Sequence, residues 1–168
     1  SKDPKAVDGA AAGLYMEIKQ KHRPAADKLY ERVDWQLANN SLYKGKAIDS
    51  GFGFLDTSKA TLDGVIFDER TSAIVEASLL TPIRRTVDCQ SLGLSPKRGV
   101  LLTGPYGTGK TLLAQKVARV AEESGWTFLY VRPEHSSKFS TFMRIALNYA
   151  PAVVFMEDID AVAGGEDR

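Results

Sequence analysis

The stretch Gly104-Pro105-Tyr106-Gly107-Thr108-Gly109-Lys110-Thr111 fits the pattern G-x-x-x-x-G-K-[ST] at every specified position, and it limits the possible folds more than any other feature. A glycine-rich turn can aim successive backbone N–H groups into one concavity, and the N-terminus of a following helix reinforces that concavity as an anion site. The pattern has this meaning only between a strand and a helix. Both flanks are suitable. Gly99 to Thr103 is a short apolar run of strand length, and Leu112, Leu113, Val117, Ala118 and Ala121 recur at helical spacing. In such a loop Lys110 reaches the β and γ phosphates of a nucleotide, and the Thr111 hydroxyl ligates Mg²⁺.

Further along, Gly125 ends the helix, and Trp126 to Val131 is a run of aromatic and β-branched residues that predicts a second strand, closed by Pro133. Phe139 to Tyr149 predicts a short helix with Phe142, Ile145 and Ala146 on one side, and Ala152 to Met156 predicts a third strand. Strands alternating with helices imply a parallel α/β sheet with its ligand at the carboxyl ends of the strands.

Upstream, Ser1 to Gly9 is polar and aperiodic, which suits a mobile tail. Ala10 to about Leu42 reads as largely helical with a break near Pro24, its apolar-face positions being Leu14, Tyr15, Ile18, Leu29, Tyr30, Val33 and Leu37. Tyr15, Tyr30, Trp35 and Tyr43 could serve a partner, but packing within this extension or against the main domain is the plainer expectation. Residues 43–62 are punctuated by Gly45, Asp49, Gly51, Gly53, Asp56 and Ser58, as in a linker with a strand or hairpin. Asp68 is placed to cap a helix running to about Arg85, interrupted or finished near Pro82, and Ser91 to Arg98 turns the chain toward the loop strand. The expected organisation is a helical extension over residues 1–42, a linker over 43–62, and a nucleotide-binding domain over 63–168.

Composition excludes several other classes. The 168 residues are 43% hydrophobic, enough for one domain with a core, and the net charge of +1 gives no general attraction to nucleic acid or membranes. The longest apolar runs, such as Pro151 to Met156, fall far below the roughly 20 residues of a spanning helix. Cys89 is the only cysteine, so no intrachain disulfide can form, and a reducing cytoplasm is the natural assignment. The basic pairs Arg84-Arg85 and Lys97-Arg98 read as solvated loop charges. The sequence starts at Ser1 rather than methionine, as a piece of a longer chain or a processed product would, and it stops at Arg168 after a loop-like Gly164-Gly165-Glu166-Asp167, so a longer natural protein is expected to continue beyond Arg168.

The third strand ends in Glu157, Asp158 and Asp160. A strand that delivers carboxylates to the sheet edge supplies the second half of a nucleotide site, where Mg²⁺ and the terminal phosphate sit. With these residues in place, the chain from about Leu62 to Arg168 resembles the AAA family of P-loop ATPases. Leu92 to Leu102 resembles the run into the family's phosphate loop, Gly104 to Thr111 the loop itself with Tyr106 in place of a proline, and Ala150 to Asp160 the second acidic motif. Leu62-Asp63-Gly64-Val65-Ile66-Phe67 lies where the family's adenine-contacting segment falls. The resemblance implies an incomplete AAA large subdomain behind a helical extension, binding ATP and Mg²⁺. It implies nucleotide contacts from Gly64, Val65, Pro105, Tyr106, Gly107, Thr108, Gly109, Lys110, Thr111 and Leu112, a metal shell from Thr111 and Glu157, and catalytic roles for Lys110, Glu157 and Asp158. It also implies a homo-oligomeric ring acting on a protein partner.

Two departures bear on mechanism. The family ends this strand with aspartate then glutamate, whereas here Glu157 precedes Asp158. Each carboxylate is thereby moved by one methylene, and a shift of about 1 Å in a positioned group can cost on the order of 10²-fold in rate. The order can represent natural tuning or an impaired hydrolase. Between Val131 and Pro151, only Arg132 to Ala150 stands where protein-threading members carry a longer stretch with an aromatic pore loop, and Phe139 is the nearest aromatic there. The family's fourth strand, which bridges the first and third, and its downstream arginine are not found before Arg168. Three functions remain: a motor that remodels a protein, a nucleotide-gated scaffold with slow or no hydrolysis, and a nucleic-acid loader using Lys44, Lys46, Arg84, Arg85, Lys97 and Arg98. The near-neutral charge argues against the last.

Overall fold

Residues rich in β-branched and aromatic side chains favour a pleated, half-buried surface, and the centre of the sheet forms at such a run. The computed structural model describes residues 16–59, 67–157 and 159. Within them β1 (Ala47–Asp49), β2 (Thr127–Val131) and β3 (Ala152–Met156) form one parallel sheet in the order β1-β2-β3. Ala47, Ile48 and Asp49 stand opposite Phe128, Leu129 and Tyr130, while Thr127 to Val131 stand opposite Ala152 to Met156 without a slip.

Six helices accompany this sheet among the described residues. α1 (Arg23–Asn40) follows a single 3₁₀ turn at Gln20–His22, and residues 16–19, expected within a helix, are not helical, while residues 10–15 lie outside the described residues. Pro24 does not break it. The proline sits in its first turn, where a missing N–H removes no internal hydrogen bond. In α1 Ala26 is buried, whereas Leu29, Tyr30, Trp35 and Leu37 are exposed and Val33 is half-buried. Leu14 and Tyr15 lie outside the described residues.

α2 (Glu69–Val75) starts as expected at Asp68, whose carboxylate accepts from the Thr71 N–H at 3.0 Å. A π-turn over Glu76–Leu80 then leads into α3 (Thr81–Arg84), with Pro82 in its first turn. Widening the turn just before a proline accommodates the lost donor without ending the rod. α4 (Thr86–Ser91) stops at Gly93, whose φ of +71° places it in the left-handed region typical after a helix end. α5 (Lys110–Glu123) follows the phosphate-type loop, and α6 (Phe139–Asn148) connects β2 to β3 after a 3₁₀ turn at Pro133–Lys138.

The alternation of β2 divides the core into two layers. Phe128 packs with Ala47, Leu80, Ile83, Trp126 and the buried stripe of α5, namely Leu113, Ala114, Val117, Ala118, Val120 and Ala121. Leu129 and Val131 face the other way and pack with Ile48 and Phe142 of α6. Helices on both faces of a parallel sheet make an α/β architecture, as the alternating pattern indicates.

One expected strand is missing from the sheet. Residues 99–103 lead into the loop without regular secondary structure and pair with no strand, and Val100 and Leu101 are exposed while Leu102 packs on the α5 side of the core. A strand is held by its ladder, and no strand among the described residues lies between this run and β3 to supply one. The linker expectation, by contrast, allowed for a strand or hairpin. Residues 47–49 are that strand, and Ile48 makes an antiparallel bridge to Phe54.

Candidate functional site

The loop from Gly104 to Gly109 is shaped by glycine. Gly109 takes φ of +88° immediately before α5, a conformation that costs an L-residue roughly 1–2 kcal/mol. A Cβ on Gly104 would sit 3.1 Å from Thr108 Oγ1, which donates to the Pro105 carbonyl at 2.8 Å. Lys110 opens α5 and turns its ammonium back onto the loop, donating to the carbonyls of Gly104 at 2.7 Å and Pro105 at 2.8 Å. The same ammonium lies 5.8 Å from the centre of the Tyr106 ring, which is otherwise 94% exposed.

Thr111, the next residue of α5, donates its hydroxyl to Glu157 Oε1 at 2.7 Å. The two elements anticipated as halves of one site therefore meet. Sheet alternation explains the contact. Phe128, Tyr130, Val153 and Phe155 all belong to the α5 side of the core, so Glu157, two residues beyond Phe155, emerges at the carboxyl edge on that same side. Tyr130 completes the junction by donating its hydroxyl to Glu157 Oε2 at 2.8 Å. Burial, followed by the hydrogen bond and charge of Glu157, pushes the Tyr130 phenol up to about 12, so it remains a donor at neutral pH.

A second polar group lies along the same edge. Asp49, whose side chain is 9% exposed, is ion-paired with Arg132 and accepts the N–H groups of Gly51 at 2.7 Å and Gly53 at 3.2 Å. Burial alone would raise its pKa, but the Arg132 hydrogen bond, the two backbone donors and the Arg132 charge together hold it below the ordinary value. Ser50 accepts the Arg132 N–H at 3.0 Å and pairs with His135 Nδ1 at 2.8 Å.

Of the residues expected to form the site, Pro105 to Lys110 and Thr111 stand together, and Glu157 joins them. Leu112 is on α5 but points away from the core and is 48% exposed, since the buried stripe begins at Leu113. Gly64, Val65, Asp158 and Asp160 lie outside the described residues. Phe139, the nearest aromatic in the shortened stretch, is the first residue of α6 and is 41% exposed. Tyr130 was not anticipated. Its signal was present in the sequence as a lone hydroxyl-bearing aromatic one residue before the end of a strand that itself leads to the acid-bearing edge.

A hydroxyl and a carboxylate converging beside a helix N-terminus form a hard-oxygen donor set, the kind that holds Mg²⁺ jointly with phosphate oxygens and water. The sequence model of the ATPase family associated with various cellular activities (AAA) matches residues 100–168. Residues 100–168 are thus similar to the AAA family over a stretch that starts in the run before the loop and includes both halves of the junction. The chain is also 40% identical over 105 residues to the proteasome-activating nucleotidase of Aeropyrum pernix, an alignment that covers 57% of this chain and 25% of that protein. It thus spans about a quarter of that relative's length. No solved structure matches the chain.

Proposed function

We propose that this chain is the nucleotide-binding part of an AAA ATPase that couples ATP hydrolysis to remodelling of a protein partner. The observation that carries this reading is the 2.7 Å contact between Thr111 and Glu157, which joins the phosphate-type loop to the acidic strand end. In this role the backbone N–H groups of residues 106–110 and the Lys110 ammonium hold the β and γ phosphates, and Thr111 with Glu157 holds the metal. Bound Mg²⁺ would supply charge neutralisation on the phosphates. Lys110 exchanges its two loop carbonyls for phosphate oxygens, a stronger charge-assisted pairing. Asp158 is assigned to orient the attacking water, and Gly64 and Val65 to contact the adenine. A homo-oligomeric ring in the cytoplasm belongs to this reading through the AAA resemblance, and a protein partner is supported by the name of the Aeropyrum pernix relative, a proteasome-activating nucleotidase.

The order Glu157 then Asp158 favours a second reading, a nucleotide-gated scaffold that binds ATP and turns it over slowly or not at all. Phosphate release measured beside ATP affinity on the protein containing this chain separates the two. Tight binding with steady release supports the motor, whereas tight binding without release supports the scaffold. In the scaffold case, the double exchange Glu157→Asp with Asp158→Glu raises the rate. Nucleic-acid loading has the least support: Lys46, Arg84 and Arg85 pair with Glu122, Glu76 and Asp88, and Arg98 donates to the carbonyls of Ser78, Ser95 and Pro96. Among the described residues no helix is long and apolar enough to cross a membrane.

A further inference from the structure

The exchanged acids pose a physical problem that the neighbourhood of Glu157 addresses. Glutamate at this position carries one more rotatable bond than aspartate, so its carboxylate is less well located unless something holds it. Both of its oxygens are held here. Oε1 accepts from Thr111 at 2.7 Å and Oε2 accepts from Tyr130 at 2.8 Å, so the carboxylate is fixed between the first turn of α5 and the end of β2. Tyr130 is itself rigidly placed. It stands opposite Phe155 in the parallel ladder, and the two rings stack with centroids 5.8 Å apart and planes 16° from parallel. Since Phe155 and Glu157 are two residues apart on one strand, the stacked ring projects its hydroxyl toward the strand end where Glu157 emerges.

We propose that Tyr130 is a positioning residue that fixes the Glu157 carboxylate for the metal ion, so that a glutamate can stand first in the acidic pair. The role rests on the assignment of Thr111 and Glu157 to the Mg²⁺ shell. Outer-shell donors that orient a ligand carboxylate typically influence metal affinity about 10-fold or more. The acid order and the tyrosine therefore form one unit: the longer side chain reaches the hydroxyl that restrains it.

The decisive measurement is binding rather than turnover. A fluorescently labelled ATP is titrated onto the protein containing this chain, first without divalent metal and then across a Mg²⁺ series, for the parent and for Tyr130→Phe. That exchange keeps the stacked ring and removes only the hydroxyl. Expected is an apparent Mg²⁺ affinity weakened roughly 10-fold, with metal-free ATP affinity unchanged. In a Glu157→Asp background the Tyr130→Phe exchange should have no further effect, because the shorter acid no longer depends on the hydroxyl. An unchanged Mg²⁺ dependence in Tyr130→Phe would overturn the positioning role alone. Equal losses with and without metal would also overturn it, since they would mark a structural part for the hydroxyl. A parent whose ATP binding is indifferent to Mg²⁺ would overturn the metal assignment and, with it, this role.

Discussion

Lys110 shows how a residue's chemistry can be read before its geometry is known. Its place after Gly109 identifies a phosphate-type loop, and in the fold its ammonium is satisfied by two carbonyls of that loop. A charged donor exchanging neutral oxygens for phosphate contributes about 1.5–3 kcal/mol. Lys110→Ala is therefore expected to weaken ATP binding roughly 10- to 100-fold, read by titration calorimetry, while leaving the unfolding midpoint of the free protein nearly unchanged. Full ATP affinity in that variant would remove the loop from the site. The junction of Thr111, Glu157 and Tyr130 was legible only in part. Thr111 and Glu157 belong to motifs, whereas Tyr130 lies 27 positions from Glu157 and no spacing rule links them. Contacts of this kind depend on strand register, which a single sequence does not display.

Among the elements, those with a local periodic signal were legible. The β2 run, α6, β3 and the Asp68 cap all appear where alternation, helical spacing or capping chemistry places them. β1 was much less so, because three residues between Gly45 and Gly51 carry too short a pattern to show a period. What holds it is specific chemistry beyond its ladder: Asp49 with Arg132 and the turn N–H groups, and Lys46 and Thr57 both engaging Glu122 of α5 at 3.1 and 2.7 Å. Asp49→Ala removes the charged acceptor shared by Arg132 and the Gly51 and Gly53 N–H groups, so a loss of about 2 kcal/mol is expected in urea unfolding. The dependence on pH has a definite sign. Because the folded pKa of Asp49 is depressed below 3.8, its contribution is present above that value and is lost as pH falls through the folded pKa. The stability gap between parent and Asp49→Asn should accordingly be constant near neutrality and close on acidification. A gap that stays constant down to the acid transition would show that the carboxylate charge is not what holds β1. Another cross-element bond makes a smaller prediction. Trp126 Nε1 donates to Thr86 Oγ1 at 3.0 Å, linking the start of β2 to α4, and Trp126→Phe should cost about 1 kcal/mol by the same assay.

For the molecule as a whole, the two tryptophans report on different regions. Trp126 is 9% exposed in the α5-side core, and Trp35 on α1 is 58% exposed. Iodide should quench one emission component strongly and the other little, and Trp35→Phe should remove the quenchable one. If both components were quenched alike, the core around Trp126 would be open. Ligand linkage gives a second global test, since a nucleotide that binds only the folded chain at 100 times its Kd adds about 2.7 kcal/mol. ATP with Mg²⁺ should raise the melting midpoint, and Lys110→Ala should suppress most of that rise. The layered α/β architecture was readable from strand–helix alternation, yet the place of residues 99–103 was not. Their apolar run has strand character, but a ladder partner decides whether a strand forms.

β1 has a mechanical consequence. Only residues 41–46 separate it from α1, and it is a three-residue parallel edge strand held to β2 by few backbone bonds. A pull applied through α1 would load this strand before any other part of the sheet. Parallel strands drawn along their length share the load across all their bonds, while the same strands peeled from one end yield bond by bond. The Asp49–Arg132 ion pair and the Lys46–Glu122 bridge sit at opposite ends of β1, so neither end offers an unguarded place for peeling to begin. Through β1, traction on the helical extension becomes tension on β2, and so on the strand that carries Tyr130.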